Sequence, residues 1–293
     1  MIDLAGRRIL VTGAGGLVGH AAAQALVRLG ADVLAVGQGA DVPGRALALD
    51  LAGAEWPAAG CDAIVHCAAR LPARFEGPEA DAADRENQAI DQRALDAAAS
   101  QRAHLVYLSS GSVYGDTGGL IGDDTPVRPL LGYARQKLAT EAAITRRELS
   151  ATVLRLVAPY GPRQQRRTVL RTFLDLALAG QPLRYHGSGA RTQDFLHVGD
   201  VAEAVVRAIV GRARGCFVLA SGVPVTMRAL AELVVEVTGS ASVVEASGLP
   251  DADEARQARY DVSRLRAELG LHPARPLATG LAEWAAVRAG ARA

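Results

Sequence analysis

A parallel, doubly wound α/β sheet with a smaller C-terminal α/β lobe is the fold this sequence predicts, on three observations. Short apolar runs alternate with helical patterns through the first 160 residues. The runs are apolar throughout rather than at alternate positions, as in strands covered on both faces. The first run passes through a glycine-rich turn straight into a helical pattern, which is the order of a strand–turn–helix unit.

Residues 9–11 read as the first strand, followed by Gly13, Gly16 and Gly19 at even spacing and a helical pattern over 20–29. Strands follow at 32–36, 46–49 and 62–66. A helix spans 80–100, with Ile90, Ala94, Leu95 and Ala98 on one face. A strand at 104–108 ends in Ser109-Ser110-Gly111. A breaker-rich segment over 123–129 leads to a helix at 133–149 and a strand at 152–156. Beyond Tyr160 the regularity falls, interrupted by Pro162, Pro182, Gly187, Gly189 and Pro224. Helices are expected there at 199–210, 226–238, 261–269 and 279–289, and short strands at 217–220 and 242–246. The chain divides into a nucleotide-binding part, 1–160, and a smaller substrate lobe, 161–293, with segments returning to the first. The ligand crevice then lies at the strand C-terminal ends.

Bulk properties remove several classes of function. The chain's 293 residues are 49% hydrophobic, enough for a sizeable core without staples. Lys plus Arg number 32 against 31 Asp plus Glu, which argues against nucleic acid as a partner. Cys61, Cys67 and Cys216 fit no zinc spacing and the histidines are scattered, so no metal is expected. No signal-peptide layout and no bilayer-length apolar run is present, which predicts a cytoplasmic protein without membrane contact. Arginine replaces lysine everywhere except at Lys137.

The chemistry is expected in three stretches. Strand, glycine turn and helix form a phosphate cradle. Gly13 permits the tight turn, Gly16 admits a pyrophosphate, Gly19 lets the helix pack closely, and the helix start offers unpaired N–H groups. An ordinary strand-to-helix loop is the plain alternative, and the flanking strand and helix favour the cradle. Ser109-Ser110 closes the strand at 104–108. Tyr133 and Lys137, four apart, share one helix face. A tyrosine hydroxyl ordinarily ionises near about pH 10, and a neighbouring ammonium favours the phenolate. Such a pair can take a proton from a substrate hydroxyl while hydride leaves its carbon, and a strand-end serine can orient the same oxygen. A chance Tyr–Lys pair on an amphipathic helix is the alternative, and the cradle and the serine strand end weigh against it.

Together these stretches resemble the extended short-chain dehydrogenases/reductases, the NAD-dependent epimerases/dehydratases, over almost the whole chain. Thr12-Gly13-Ala14-Gly15-Gly16-Leu17-Val18-Gly19 looks like the family's glycine signature. Asp50, with Leu51, matches its adenine-contacting acid. Residues 62–69, ending His66-Cys67-Ala68-Ala69, match a cofactor-lining strand. Residues 109–115 match the strand-end motif, whose catalytic Ser/Thr lies four before Tyr114 and so falls on Ser110. Tyr160-Gly161-Pro162 and residues 194–201 also match. The resemblance implies a Rossmann-type fold and catalysis by Ser110, Tyr133 and Lys137. It implies NAD or NADP held by Gly13, Gly15, Gly16, Leu17, Val18, Gly37, Gln38, Asp50, Leu51, Cys67, Ala68, Ala69, Leu108, Tyr133, Lys137 and Tyr160. Substrate contacts fall to Arg70, Ser110, Gly111, Ser112, Arg163, Arg191 and Gln193. The implied reaction is hydride transfer at a hydroxyl or keto carbon of a nucleotide sugar, by an epimerase or a ketoreductase. The implied assembly is a homodimer through the helices at 80–100 and 133–149.

Departures from the family pattern sharpen these expectations. Gly37, followed by Gln38, stands where many NAD-preferring members carry an acid, which leans slightly to NADP. Gly111 and Ser112 replace the Asp-Glu of the dehydratases, so 4,6-dehydration is not expected. Ala158 replaces an Asn and Gln193 an Arg that help grip a diphosphate. Arg163, Arg166 and Arg167 could compensate, or form a solvated loop. Arg70 and Arg74 read as surface charge within reach of the crevice. His66 reads as a packed, hydrogen-bonded residue, and Cys67, Trp56 and Trp284 as packing groups. Two other readings stay open: a reductase or dehydrogenase of a non-sugar alcohol or ketone, and a non-catalytic NAD(P)-sensing protein. The second typically loses the Tyr or Lys, and both are present here.

Overall fold

The structure is a computed structural model that describes residues 2–37, 41–53, 56, 60–255, 257–273 and 275–290. Its centre is a seven-stranded parallel sheet. The strands are β1 (Arg8–Thr12), β2 (Asp32–Val36), β3 (Arg45–Ala46), β4 (Ala63–His66), β5 (His104–Ser110), β6 (Ala151–Leu156) and β7 (Gly215–Leu219). In space they run β7-β6-β5-β4-β1-β2-β3. The winding reverses between β1 and β4, so the switch-point crevice opens beyond their C-terminal ends. There the register sets Thr12 level with Val36 and with His66, and His66 level with Tyr107.

The uninterrupted apolarity of the strands has a direct cause. Ile9, Val11, Val33, Val65, Val106 and Leu108 belong to one core cluster, whereas Leu10, Leu34, Ile64, Leu105 and Tyr107 belong to another. Alternate residues serve opposite faces. The first face is covered by α1 (Leu17–Arg28) and α5 (Val198–Gly211), the second by α2 (Pro78–Gln101) and α3 (Gly132–Arg146). Thus β7 and α5 return from the second half of the chain to complete the first core. A third cluster gathers Leu170, Phe173 and Leu174 of α4 (Val169–Ala177), Leu230 and Val234 of α6 (Met227–Thr238), and Leu281 and Trp284 of α8 (Leu277–Gly290). The helix α7 (Ser263–Leu269) packs back on α5 and β7.

Two local expectations change. The strand expected at 46–49 keeps only Arg45–Ala46 in the sheet, at its edge. After Leu47 N–H donates to the Ala35 carbonyl (2.9 Å), the chain peels away and its leucines turn into the crevice. The helix α4 was not expected, although Thr168 caps it by accepting from Arg171 N–H at 3.3 Å. Its apolar residues at 169, 170, 173, 174 and 177 follow helical spacing. Among the described residues, no helix is long and apolar enough to cross a membrane.

Candidate active site

A cavity of about 960 Å³ lies beyond the ends of β1, β2 and β4. Gly13, Gly15, Gly16, Gly37, Asp50, Leu51, Cys67, Ala68 and Ala69 line it, as expected positions. Its floor is backbone, and that dictates the residue types. Gly13 has φ +68°, and a Cβ there would meet Ala68 N at 2.8 Å. Gly16 caps α1 without a side chain, so the first-turn N–H groups stay available to an anion. These features fit the pyrophosphate of a dinucleotide. Leu17 and Val18 open α1 behind this wall. Gln38 lies outside the described residues.

Gly37 has a steric reason of its own. A Cβ on it would lie 2.5 Å from Gly15 N and 3.1 Å from Ala14 N. The missing carboxylate at this position therefore follows from contact with the glycine turn and carries no information about a 2′-phosphate.

The strand end separates the two serines by alternation. Tyr107 and Ser109 face α3, where the Ser109 hydroxyl donates to the Glu141 carboxylate and Arg155 is paired with the same group at 2.7 Å. Ser110 turns to a second cavity of about 390 Å³, shared with Gly111, Ser112, Arg191 and Gln193. Its Oγ accepts from Ser112 N–H at 3.2 Å and lies 2.9 Å from Ser112 Oγ. Tyr133 borders the second cavity through Phe75. Its ring packs on Phe75, 5.6 Å between centroids, and Phe75 lines the second cavity. Lys137 is buried, with Nζ 4.5 Å from the Tyr107 ring centroid and 5.8 Å from that of Tyr133. It also acts electrostatically on Cys67 of the first cavity, whose thiol burial pushes up to about 12. Two residues of one helix face thus act on wall residues of the two cavities, Tyr133 on Phe75 and Lys137 on Cys67.

The remaining expected residues take varied places. Arg70 lines the first cavity, not the second, and pairs with Glu86 at 2.8 Å. Arg163 donates to the exposed Asp41 at 2.8 Å, beside His20 of α1, away from the second cavity. Arg166 of the same loop lies over the Phe75 ring, 4.7 Å from its centroid. Arg191 is held by Asp251 at 2.7 Å. The Tyr160 side chain is buried in the third cluster, against His197 and Trp284, so only its backbone can serve the crevice. Leu108 packs in the core beneath it. Asp194 is structural, accepting from the N–H groups of Ser221 and Gly222 at 2.8 Å each.

Several residues of the site were not foreseen. Phe75, Thr192, Ala258 and Tyr260 line the second cavity from distant segments. Asp91 is buried in α2 between His66 and Lys137. The only sequence signal for it was a carboxylate at the helix position beside the apolar Ile90 and Ala94.

A glycine-lined cavity at the switch point of a doubly wound sheet fits a dinucleotide, and a strand-end serine and a Tyr–Lys pair lie beside it. The chain belongs to the NAD dependent epimerase/dehydratase family, whose model matches residues 9–216. It is 30% identical over 234 residues to a dTDP-glucose 4,6-dehydratase of Streptomyces niveus, covering 77% of this chain and 69% of that one. It is 34% identical over 185 residues to a UDP-glucose 4-epimerase of Mycolicibacterium smegmatis, covering 60% and 58%. Among solved structures, MoeE5 in complex with UDP-glucuronic acid and NAD superposes with a TM-score of 0.85 at 27% identity, covering 98% of this chain and all of that one.

Proposed function

We propose that this protein moves hydride at a hydroxyl-bearing carbon of a nucleotide-activated sugar, as an epimerase or a ketoreductase, with NAD or NADP. The observation that carries the reading is that Tyr133 packs on Phe75 of the cavity that holds Ser110, while Lys137, one turn along α3, acts on Cys67 of the glycine-lined cavity. The family and the sugar nucleotides named for its relatives support the substrate class. Dehydration is disfavoured, since the side chains at 111 and 112 carry no acid. A Cβ at Gly111 would already lie 2.9 Å from Val157 Cγ2.

The first cavity would hold the dinucleotide, with its pyrophosphate at the start of α1 and its adenosine toward Asp50 and Leu51. A bound nicotinamide supplies the hydride acceptor and donor. Ser110 would donate to the reacting oxygen and orient it. Tyr133 would take the hydroxyl proton and return it, with the Lys137 charge favouring the phenolate. Phe75 would keep water from the tyrosine ring, and Arg191, braced by Asp251, would meet a phosphate of the substrate. A homodimer through α2 and α3 is the proposed assembly.

Identifying the cofactor that co-purifies, then screening UDP- and dTDP-sugars by thermal shift, tests the reading. Tightly held NAD with stabilisation by a sugar nucleotide is expected for an epimerase. Stabilisation by NADPH, exchanged at each turnover, selects the ketoreductase. A protein that no dinucleotide stabilises overturns both.

A further inference from the structure

We infer that Asp91 is the counter-charge of Lys137 and a positioning residue of the reaction, joining the cofactor turn to the catalytic lysine through one buried network. The inference rests on the proposed acid–base role of Tyr133 and Lys137 and adds to it.

Asp91 is 2% exposed. Its Oδ1 accepts from His66 Nε2 at 2.8 Å. Its Oδ2 accepts from Gln136 Nε2 at 2.6 Å, from the Thr140 hydroxyl at 2.9 Å and from the Tyr107 hydroxyl. The far side of His66 continues to β1, with Nδ1 2.8 Å from Thr12 Oγ1, which accepts from Ala68 N–H at 3.2 Å. One proton arrangement fills every role. Ala68 N–H donates to Thr12, the Thr12 hydroxyl to His66 Nδ1, and His66 Nε2–H to Asp91. Thr12 directly precedes Gly13, so the chain of bonds begins at the cofactor turn.

The same carboxylate governs the charge around Lys137. Burial opposes its ionisation, but the Lys137 charge and the bonds from His66 and Tyr107 outweigh that and hold the carboxyl far below the usual carboxylate range. The titratable groups around the ammonium come from every neighbouring element. They are Cys67 after β4, Asp91 on α2, Tyr107 on β5 and Tyr133 on α3, with His66 bonded behind Asp91. Burial keeps the Cys67 thiol and the Tyr107 hydroxyl protonated. Glu141, one turn along α3, is committed to Arg155. Among these groups Asp91 is the resident negative charge. Lys137 is 2% exposed, and among the described residues it forms no direct ion pair. Asp91 instead balances its charge at longer range, its Oδ2 bonded to the hydroxyl of the Tyr107 ring over which Nζ lies. A buried ammonium stripped of that balance sheds its proton, and aromatic faces alone compensate only in part.

The chain holds one lysine, so protein labelled with ¹³C-lysine gives one side-chain signal, and its Cε shift reports the ionisation of Lys137 directly, without substrate or cofactor. In Asp91→Asn the midpoint of this titration is expected to move down by at least about one pH unit. Asp91→Thr, which also removes the charge, should do the same and serves if the Asn variant does not fold. Tyr107→Phe keeps the charge and removes one bond, and should move the midpoint far less. A midpoint unchanged in a folded Asp91 variant overturns the inference. Its outcome is independent of turnover in Tyr133→Phe, which tests the proposed mechanism by itself.

Discussion

The two cavities of the crevice are built in opposite ways. The cavity proposed for the cofactor has a glycine-rich floor. Its floor comes from one glycine turn and the ends of adjacent strands, with residues 47–52 and α2 closing the sides, and its glycines are required by contacts too close for a side chain, such as Gly13 against Ala68 and Gly37 against Gly15. The substrate side is mostly side chains, collected from Phe75, the 110–112 turn, residues 156–158 and 191–194, and Ala258 and Tyr260. Binding a constant group needs a rigid local frame. Choosing among sugars needs side chains that can change without disturbing that frame.

The largest expected effect lies at the seam. Tyr133→Phe should lower turnover by about 10²–10⁴-fold, the usual worth of a general acid–base group, with cofactor affinity unchanged by titration calorimetry. Near-normal turnover would remove the tyrosine from the mechanism.

On the cofactor side, Gly37→Asp should weaken NAD and NADP together, because its Cβ displaces the glycine turn whatever the cofactor. A clean exchange of preference between the two, measured as paired dissociation constants, would refute the steric account of Gly37.

On the substrate side, Arg191→Ala should raise KM about 10- to 100-fold, the loss of one charge-assisted hydrogen bond, and leave cofactor affinity alone. If cofactor binding suffers equally, the two sides are not separable.

The smallest effect concerns stability. Burial lowers His104 in β5 and His197 before α5 to about 4. The unfolded chain protonates these groups first as pH falls, so the stability they permit is complete above about pH 6.5 and is lost on the way down to about pH 4, at most about 3 kcal/mol for each. Melting temperature should fall across that window, and His104→Asn should flatten part of the fall. An identical slope in the variant would place the loss elsewhere.

What was legible in the sequence follows the same division. The strands, α1, α2, α3, the glycine turn and the Tyr133–Lys137 spacing each depend on residues within one or two turns of each other. Periodicity and local sterics therefore reveal them. The choice of Ser110 over Ser109 came from the family motif, and strand alternation in the sheet shows its physical basis. Arg163 and Arg70 were misplaced because a long side chain's position depends on the partner it finds, here Asp41 and Glu86, which no local pattern predicts.

The sequence alone determined a doubly wound sheet with a dinucleotide cradle and a Tyr–Lys pair, because each is a short-range consequence of apolar period, glycine sterics or helix spacing. Only the tertiary structure decided which arginines line the second cavity, why position 37 must be glycine, and that Asp91 bonds the ring hydroxyl of Tyr107 on which Lys137 packs. Those depend on α2, β4 and α3 meeting in space, with Asp91 and Lys137 46 residues apart in the chain, and a buried charge acquires its role from whatever the fold brings beside it.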